Sequence, residues 1–127
     1  MASGDFDTPH WPVEIRLKTA ERLLEIAFDD GSRFGLPAEY LRVESPSAEV
    51  QGHSPAQRQI VPGKAQVGIA RIEPVGHYAI RLVFDDGHDT GLFSWTYLHQ
   101  LGIVQEAHWR TYLAALKARG LAREPPP

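Results

Sequence analysis

The sequence contains no cysteine in its 127 residues. That excludes disulfides, iron–sulfur ligation, thiolate zinc sites and cysteine nucleophiles together. It also lacks a surplus of positive charge: 13 Lys and Arg face 16 Asp and Glu, for a formal net charge of −3. Binding to a phosphate backbone needs clustered cations, so no nucleic-acid partner is expected. No stretch approaches the roughly 18 consecutive apolar residues of a membrane span. The first ten residues carry Asp5 and Asp7 and no apolar run, unlike a secretory signal. A cytoplasmic protein without membrane association is the expectation.

What is present suits a globular domain. Hydrophobic residues make up 43% and charged residues 23%, enough apolar material to form a core. A chain this short supports one core. We expect a leader over 1–12, one domain over 13–120 and a tail over 121–127.

Val13, Ile15 and Leu17 alternate with Glu14 and Arg16, the pattern of a half-buried strand. Leu24, Ile26 and Phe28 repeat it, and Asp29-Asp30-Gly31 then signals a hairpin, because glycine accepts positive φ. A short return arm, Arg33 to Leu36, leads to Pro37, which can open a helical turn through Tyr40 and Leu41. The design recurs in Tyr78, Ile80, Leu82 and Phe84, followed by Asp85-Asp86-Gly87. There Ser94 caps a helix containing Trp95, Leu98 and Leu101, with Gly102 as its stop. The segments FDDGSRFGL (28–36) and FDDGHDTGL (84–92) are an internal echo. A favoured hairpin used twice explains it without shared chemistry.

Between the units, Val43 to Lys64 is polar and aperiodic, too long for a simple connection. A strand over Val67 to Ile72 follows it. The chain closes with an amphipathic helix over Gln105–Arg119, with Trp109, Tyr112, Leu113 and Leu116 on its inner face and Glu106 and Arg110 paired outside. The sum is an α+β, two-layer sandwich: a largely antiparallel sheet of about five strands with two or three helices on one face. Trp95 and Trp109 are assigned to the core, and Trp11 to the surface.

Chemical motifs are sparse. The six histidines, at 10, 53, 77, 88, 99 and 108, show no metal-ligand spacing. His88-Asp89 cannot be half of an iron triad, since neighbours on a strand face opposite ways. Ser45, Ser47 and Ser54 have no evident base–carboxylate partnership. The Asp pairs are read as turn formers rather than acid–base groups. Pro62-Gly63-Lys64 fails as a phosphate loop, because Arg58 stands where the first glycine belongs and Ala65 follows the lysine. Arg42, His53, Arg58 and Lys64 lie in or beside one polar loop, where they would form a modest anion-binding surface.

The run Leu41-Arg42-Val43-Glu44-Ser45-Pro46-Ser47-Ala48-Glu49, with Phe84-Asp85-Asp86-Gly87-His88 and Gly91-Leu92-Phe93-Ser94-Trp95-Thr96-Tyr97-Leu98, resembles the γ-butyrobetaine hydroxylase-like N-terminal domain family. The likeness covers roughly Val13 to Leu101 and points to the short stand-alone bacterial members, a domain of unknown function. It implies a two-layer α+β fold. In the carnitine-pathway hydroxylases this domain precedes the iron- and 2-oxoglutarate-dependent domain, binds a structural zinc and contributes to dimer contacts. A similar domain is appended to some P-loop ATPases that carry Fe–S clusters. With so little chain after Gly102, the iron domain is not expected in this sequence. The hydroxylases' three zinc cysteines match Ser45, Ser47 and Val50, and their histidine matches His88. Only the histidine is kept, and a rebuilt site would pair His88 with His53 or His77.

The expectation is a non-enzymatic binding or protein-docking module, with Arg42, Ser45, Ser47, His53, Arg58 and Lys64 as its binding residues and no required cofactor. It would serve an unidentified protein partner, and a homodimer is compatible with it. The alternative is a metal-binding accessory protein for zinc or iron, linked to iron or Fe–S enzymes, with His88 as a ligand.

Overall fold

Ile15 and Leu17, alternating with charged residues, form β1 (Pro12–Lys18). It pairs antiparallel with β2 (Leu23–Phe28), which pairs in turn with β3 (Arg33–Pro37). Pro37 takes extended φ and ψ and admits α1 (Ala38–Val43). A short α2 (Ala48–Gln51) and a single 3-10 turn (Pro55–Gln57) lie in the polar connection. A second meander follows: β4 (Ile69–Val75), β5 (Ala79–Phe84) and β6 (Leu92–Ser94). Then come α3 (Trp95–Ile103) and α4 (Gln105–Ala118). This computed structural model describes residues 10–126, so most of the expected leader lies outside the described residues.

The α+β sandwich and the antiparallel pairing are as expected, but the strand layout is not. Instead of about five strands in one sheet, there are, among the described residues, two three-stranded sheets, ordered β1-β2-β3 and β4-β5-β6, with four α-helices. β1 and β4 approach each other, yet each carries a register break, at Pro12/Glu14 and at Ile69/Arg71. Such bulges interrupt the row of backbone donors and acceptors that a joining ladder would need. The first bulge also reverses the expectation for Val13. As the extra residue it turns outward and is 65% exposed.

The echo in sequence is an echo in structure. Gly31 (φ 89°) and Gly87 (φ 93°) occupy the same left-handed turn position. Phe28 N–H donates to the Ser32 carbonyl at 2.9 Å, and Phe84 N–H to the His88 carbonyl at 3.0 Å. Asp29 N–H donates to the Trp11 carbonyl at 2.8 Å, and Asp85 N–H to the Gly68 carbonyl at 2.9 Å. In return, Trp11 N–H donates to Asp29 Oδ1 and Gly68 N–H to Asp85 Oδ1. The first Asp of each pair thus ties its hairpin to the strand before it. The second closes the turn by accepting the backbone N–H two residues on, from Ser32 or His88.

One core unites the two sheets: Leu24, Ile26, Phe28, Leu36, Ile69, Ile80, Leu82, Phe84 and Phe93, with Tyr40, Leu41, Trp95, Leu98 and Leu101 from the helices. α4 packs through Tyr112 and Leu116 on Val43, Ile60 and Val61. Leu113, expected on that inner face, is instead exposed. Gly102 is not the stop of α3, which runs on to Ile103. It is a point of close approach: a Cβ there would meet Cγ and both Cδ atoms of Phe34 closer than the 3.0 Å that real Cβ atoms keep. The C-terminal segment is held down. Gly63 N–H donates to the Ala122 carbonyl and Ala65 N–H to the Arg123 carbonyl, each at 2.9 Å.

Candidate functional site

Three polar arrangements stand out among the described residues. The first gathers Ser45, Ser47 and His88, which the sequence singled out. His88 follows the second turn, and the chain after α1 carries Ser45 beneath it. His88 Nε2 lies 2.9 Å from Ser45 Oγ, and its Nδ1 lies 3.2 Å from Glu49 Oε2. Because Glu49 is an acceptor, Nδ1 carries the proton and Nε2 accepts from the Ser45 hydroxyl. Burial, then the positive charge of Arg42, holds the His88 pKa below the ordinary imidazole value, which keeps the ring neutral. Ser47 Oγ caps α2 through Glu49 N–H and lies 2.7 Å from Thr90 Oγ1, which donates to Glu49 Oε1 at 3.0 Å.

Serine, histidine and carboxylate here stand in the order of a hydrolase triad, a partnership the sequence did not reveal. Their setting differs from one. Ser45 is 0% exposed, and Gly91 closes over it so tightly that a Cβ there would sit 2.5 Å from Ser45 Oγ. What this geometry does is fasten the α1–α2 connection to the second hairpin. A zinc of the hydroxylase type does not fit. Ser45 and His88 do meet, but both His88 nitrogens are engaged, Val50 offers no donor, and serine hydroxyls are poor zinc ligands. Neither His53 nor His77 forms a three-ligand group with His88 among the described residues.

The loop cations are drawn into the same region. Arg42 Nε and Lys64 Nζ both contact Asp86 Oδ2, at 2.8 and 2.7 Å. Burial raises the Asp86 pKa, but Lys64, the His88 N–H and Arg42 outweigh it and set the group at about 2. Arg58 pairs with the buried Glu44 at 2.9 Å. His53 stands apart, its backbone N–H donating to Gln57 Oε1. Arg42, Arg58 and Lys64 are therefore each matched by a carboxylate within the domain.

The second arrangement was not legible in sequence. Between the ends of α3 and α4 lies a groove of about 660 Å³, lined by Pro37, Tyr40, Ile103, Glu106, Trp109 and the Glu39–Arg123 pair. Glu39, on α1, receives two hydrogen bonds from Arg123, at 2.9 and 2.7 Å. The Arg123 guanidinium lies 5.4 Å from the Trp109 ring centroid. Because Arg123 falls in the segment expected to be a tail, no motif pointed to it.

The third is a cluster of His10, Asp30 and His99, brought together by the approach to β1, the first turn and α3. His99 Nε2 is 2.9 Å and His10 Nδ1 3.4 Å from Asp30 Oδ2. Hydrogen bonds from the Ser32 hydroxyl and backbone N–H hold Asp30 well below the ordinary carboxylate range, with His99 adding to the effect.

The sequence model of the family described as gamma-butyrobetaine hydroxylase-like, N-terminal, matches residues 15–99. The chain belongs to this family. Two NMR solution structures resemble it closely. One is 49% identical, covers 98% of this chain and 92% of its own, and has a TM-score of 0.80. The other is 44% identical, covers 93% of each chain and has a TM-score of 0.81. A crystal structure of a DUF971-family protein of unknown function from Acidithiobacillus ferrooxidans is 44% identical, covering 72% of this chain and 91% of its own, with a TM-score of 0.61. Among curated proteins there is no match. No described helix is long and apolar enough to cross a membrane.

Proposed function

We propose that this member of the gamma-butyrobetaine hydroxylase-like N-terminal family is a non-enzymatic docking module, and that it binds an extended segment of a protein partner in the α3–α4 groove. The observation that carries the reading is the groove's construction. Tyr40 and Trp109 give it an aromatic lining, Arg123 is fixed over Trp109 by Glu39, and Ile103 stands 62% exposed at its rim. Tryptophan, tyrosine and arginine are the side chains that dominate interface energies. A preformed hollow with an aromatic lining favours a partner that inserts an apolar anchor. The working surface is placed here rather than on the Arg42–Lys64 loop, whose cations are matched internally.

The test is selection of peptides from a displayed random library against the full chain, followed by amide shift mapping with a selected peptide. The reading expects peptides with an apolar anchor that shift Ile103, Glu106, Trp109 and Arg123, with binding lost in Trp109→Ala. Shifts confined to the 42–64 loop, or no enriched peptide, would refute it. A second reading, the metal-binding accessory, is favoured by the His10–Asp30–His99 cluster.

A further inference from the structure

From the convergence of His10 Nδ1, His99 Nε2 and Asp30 Oδ2 we infer a divalent transition-metal site on the first hairpin, selective for ions that accept imidazole and carboxylate, such as Zn(II), Co(II) or Ni(II). The inference rests on the metal-binding reading and gives it a location, distinct from the Ser45–His88 position that the family's hydroxylases use. The three donor atoms all lie within 4.8 Å of one another. Their separations from Asp30 Oδ2, 2.9 and 3.4 Å, bracket the ~3.3 Å between neighbouring ligands on a tetrahedral ion with bonds of about 2.0–2.1 Å. Two imidazoles and one carboxylate form a set that leaves coordination positions for water or a partner's ligand.

The surroundings are those of a supported site. Ser32 donates to Asp30 Oδ1 from both its N–H and its hydroxyl, which orients the carboxylate so that Oδ2 faces the histidines. Phe28 stands edge-on to both imidazoles and Phe34 edge-on to His99, forming an apolar collar. Trp11 is locked to Asp29 in both directions, so the chain just after His10 is anchored to the turn. Asp30 is the most exposed of the three side chains, and the ion enters from its side. One rearrangement is required. The two rings are parallel within 3°, with centroids 3.5 Å apart, whereas a metal lies in the plane of each imidazole it binds. Loading therefore turns His10, the more exposed ring, out of the stack.

The experiment uses the full chain without an affinity tag. Zn(II) is titrated calorimetrically, and Co(II) is followed by its visible d–d absorption. The inference expects one ion per chain, with affinity falling about tenfold or more in His10→Gln, Asp30→Asn and His99→Gln, and unchanged in His53→Gln and His77→Gln. It also expects the ring signals of His10 and His99 to move on loading. His10→Gln lies ahead of β1 and leaves the core intact, so it remains informative even where His99→Gln impairs folding. Stoichiometric binding that persists in His10→Gln and Asp30→Asn overturns this site while leaving the metal-binding reading standing. No binding of either ion overturns both.

Discussion

Replacing Gly102 with alanine sets two physical effects against each other. Near the end of α3, alanine gains up to about 1 kcal/mol over glycine from helix propensity. Against this, the new methyl would lie inside the base of the Phe34 ring, a part of the side chain that cannot swing away without moving the whole ring. Displacing Phe34 also disturbs its edge-on contacts with Phe28 and His99, at centroid distances of 6.0 and 5.5 Å. Overpacking of this kind costs about 1–3 kcal/mol, and each aromatic pair contributes roughly 0.5–1.5. We expect Gly102→Ala to destabilise by about 1–2 kcal/mol net, lowering the melting temperature by roughly 3–8 °C. In a Phe34→Ala background the clash vanishes, and the same change should raise stability by up to about 1 kcal/mol. Thermal and urea melts of the four chains give the coupling directly. A higher melting temperature for Gly102→Ala with Phe34 intact would refute the reasoning.

His88→Gln leaves Ser45 and Glu49 without their shared partner, and a loss of about 1–3 kcal/mol in urea unfolding is expected. Because the folded pKa of His88 lies below its unfolded value, its contribution is complete above the ordinary imidazole range and is lost as pH falls through the folded value. NMR titration should show that ring taking up its proton at lower pH than a free imidazole, from the Nδ1–H tautomer. Asp86, held at about 2, stabilises above the ordinary carboxylate range and loses that contribution between about pH 4 and 2. After allowance for solvent screening it is worth about 1 kcal/mol, and Asp86→Asn should flatten the acid limb of the stability curve by that amount. Arg123→Ala strands the buried Glu39 carboxylate and should cost about 1–3 kcal/mol in the same melts.

Strands β1, β2, β3 and β5, both Asp-Gly turns and the last helix were legible because each rests on local signals: period-two alternation, turn residues and i, i+3, i+4 spacing, whereas β4 runs over Ile69–Val75 rather than Val67–Ile72 and β6 was not foreseen. What was not legible depends on single residues whose environment is set from far away. Val13 keeps the strand pattern but loses its face to a bulge. Gly102 reads as a helix stop, yet its lack of a side chain answers to Phe34 across the fold. The residues of the Ser45–His88 node could be named from family positions, but its third member, Glu49, is seen only when α2 is in place. The His10–Asp30–His99 cluster joins three segments with no common spacing. Arg123 looked like tail because nothing near it in sequence reveals Glu39.

Ser45, His88 and Glu49 fasten the α1–α2 connection to the second hairpin, and Ser45 is fully buried there. Incubation of the native chain with a serine-directed fluorophosphonate, followed by intact mass and peptide mapping, addresses this most directly. An unmodified mass and no adduct at Ser45 are expected. A stoichiometric phosphonyl adduct on Ser45 that disappears in His88→Gln would contradict it.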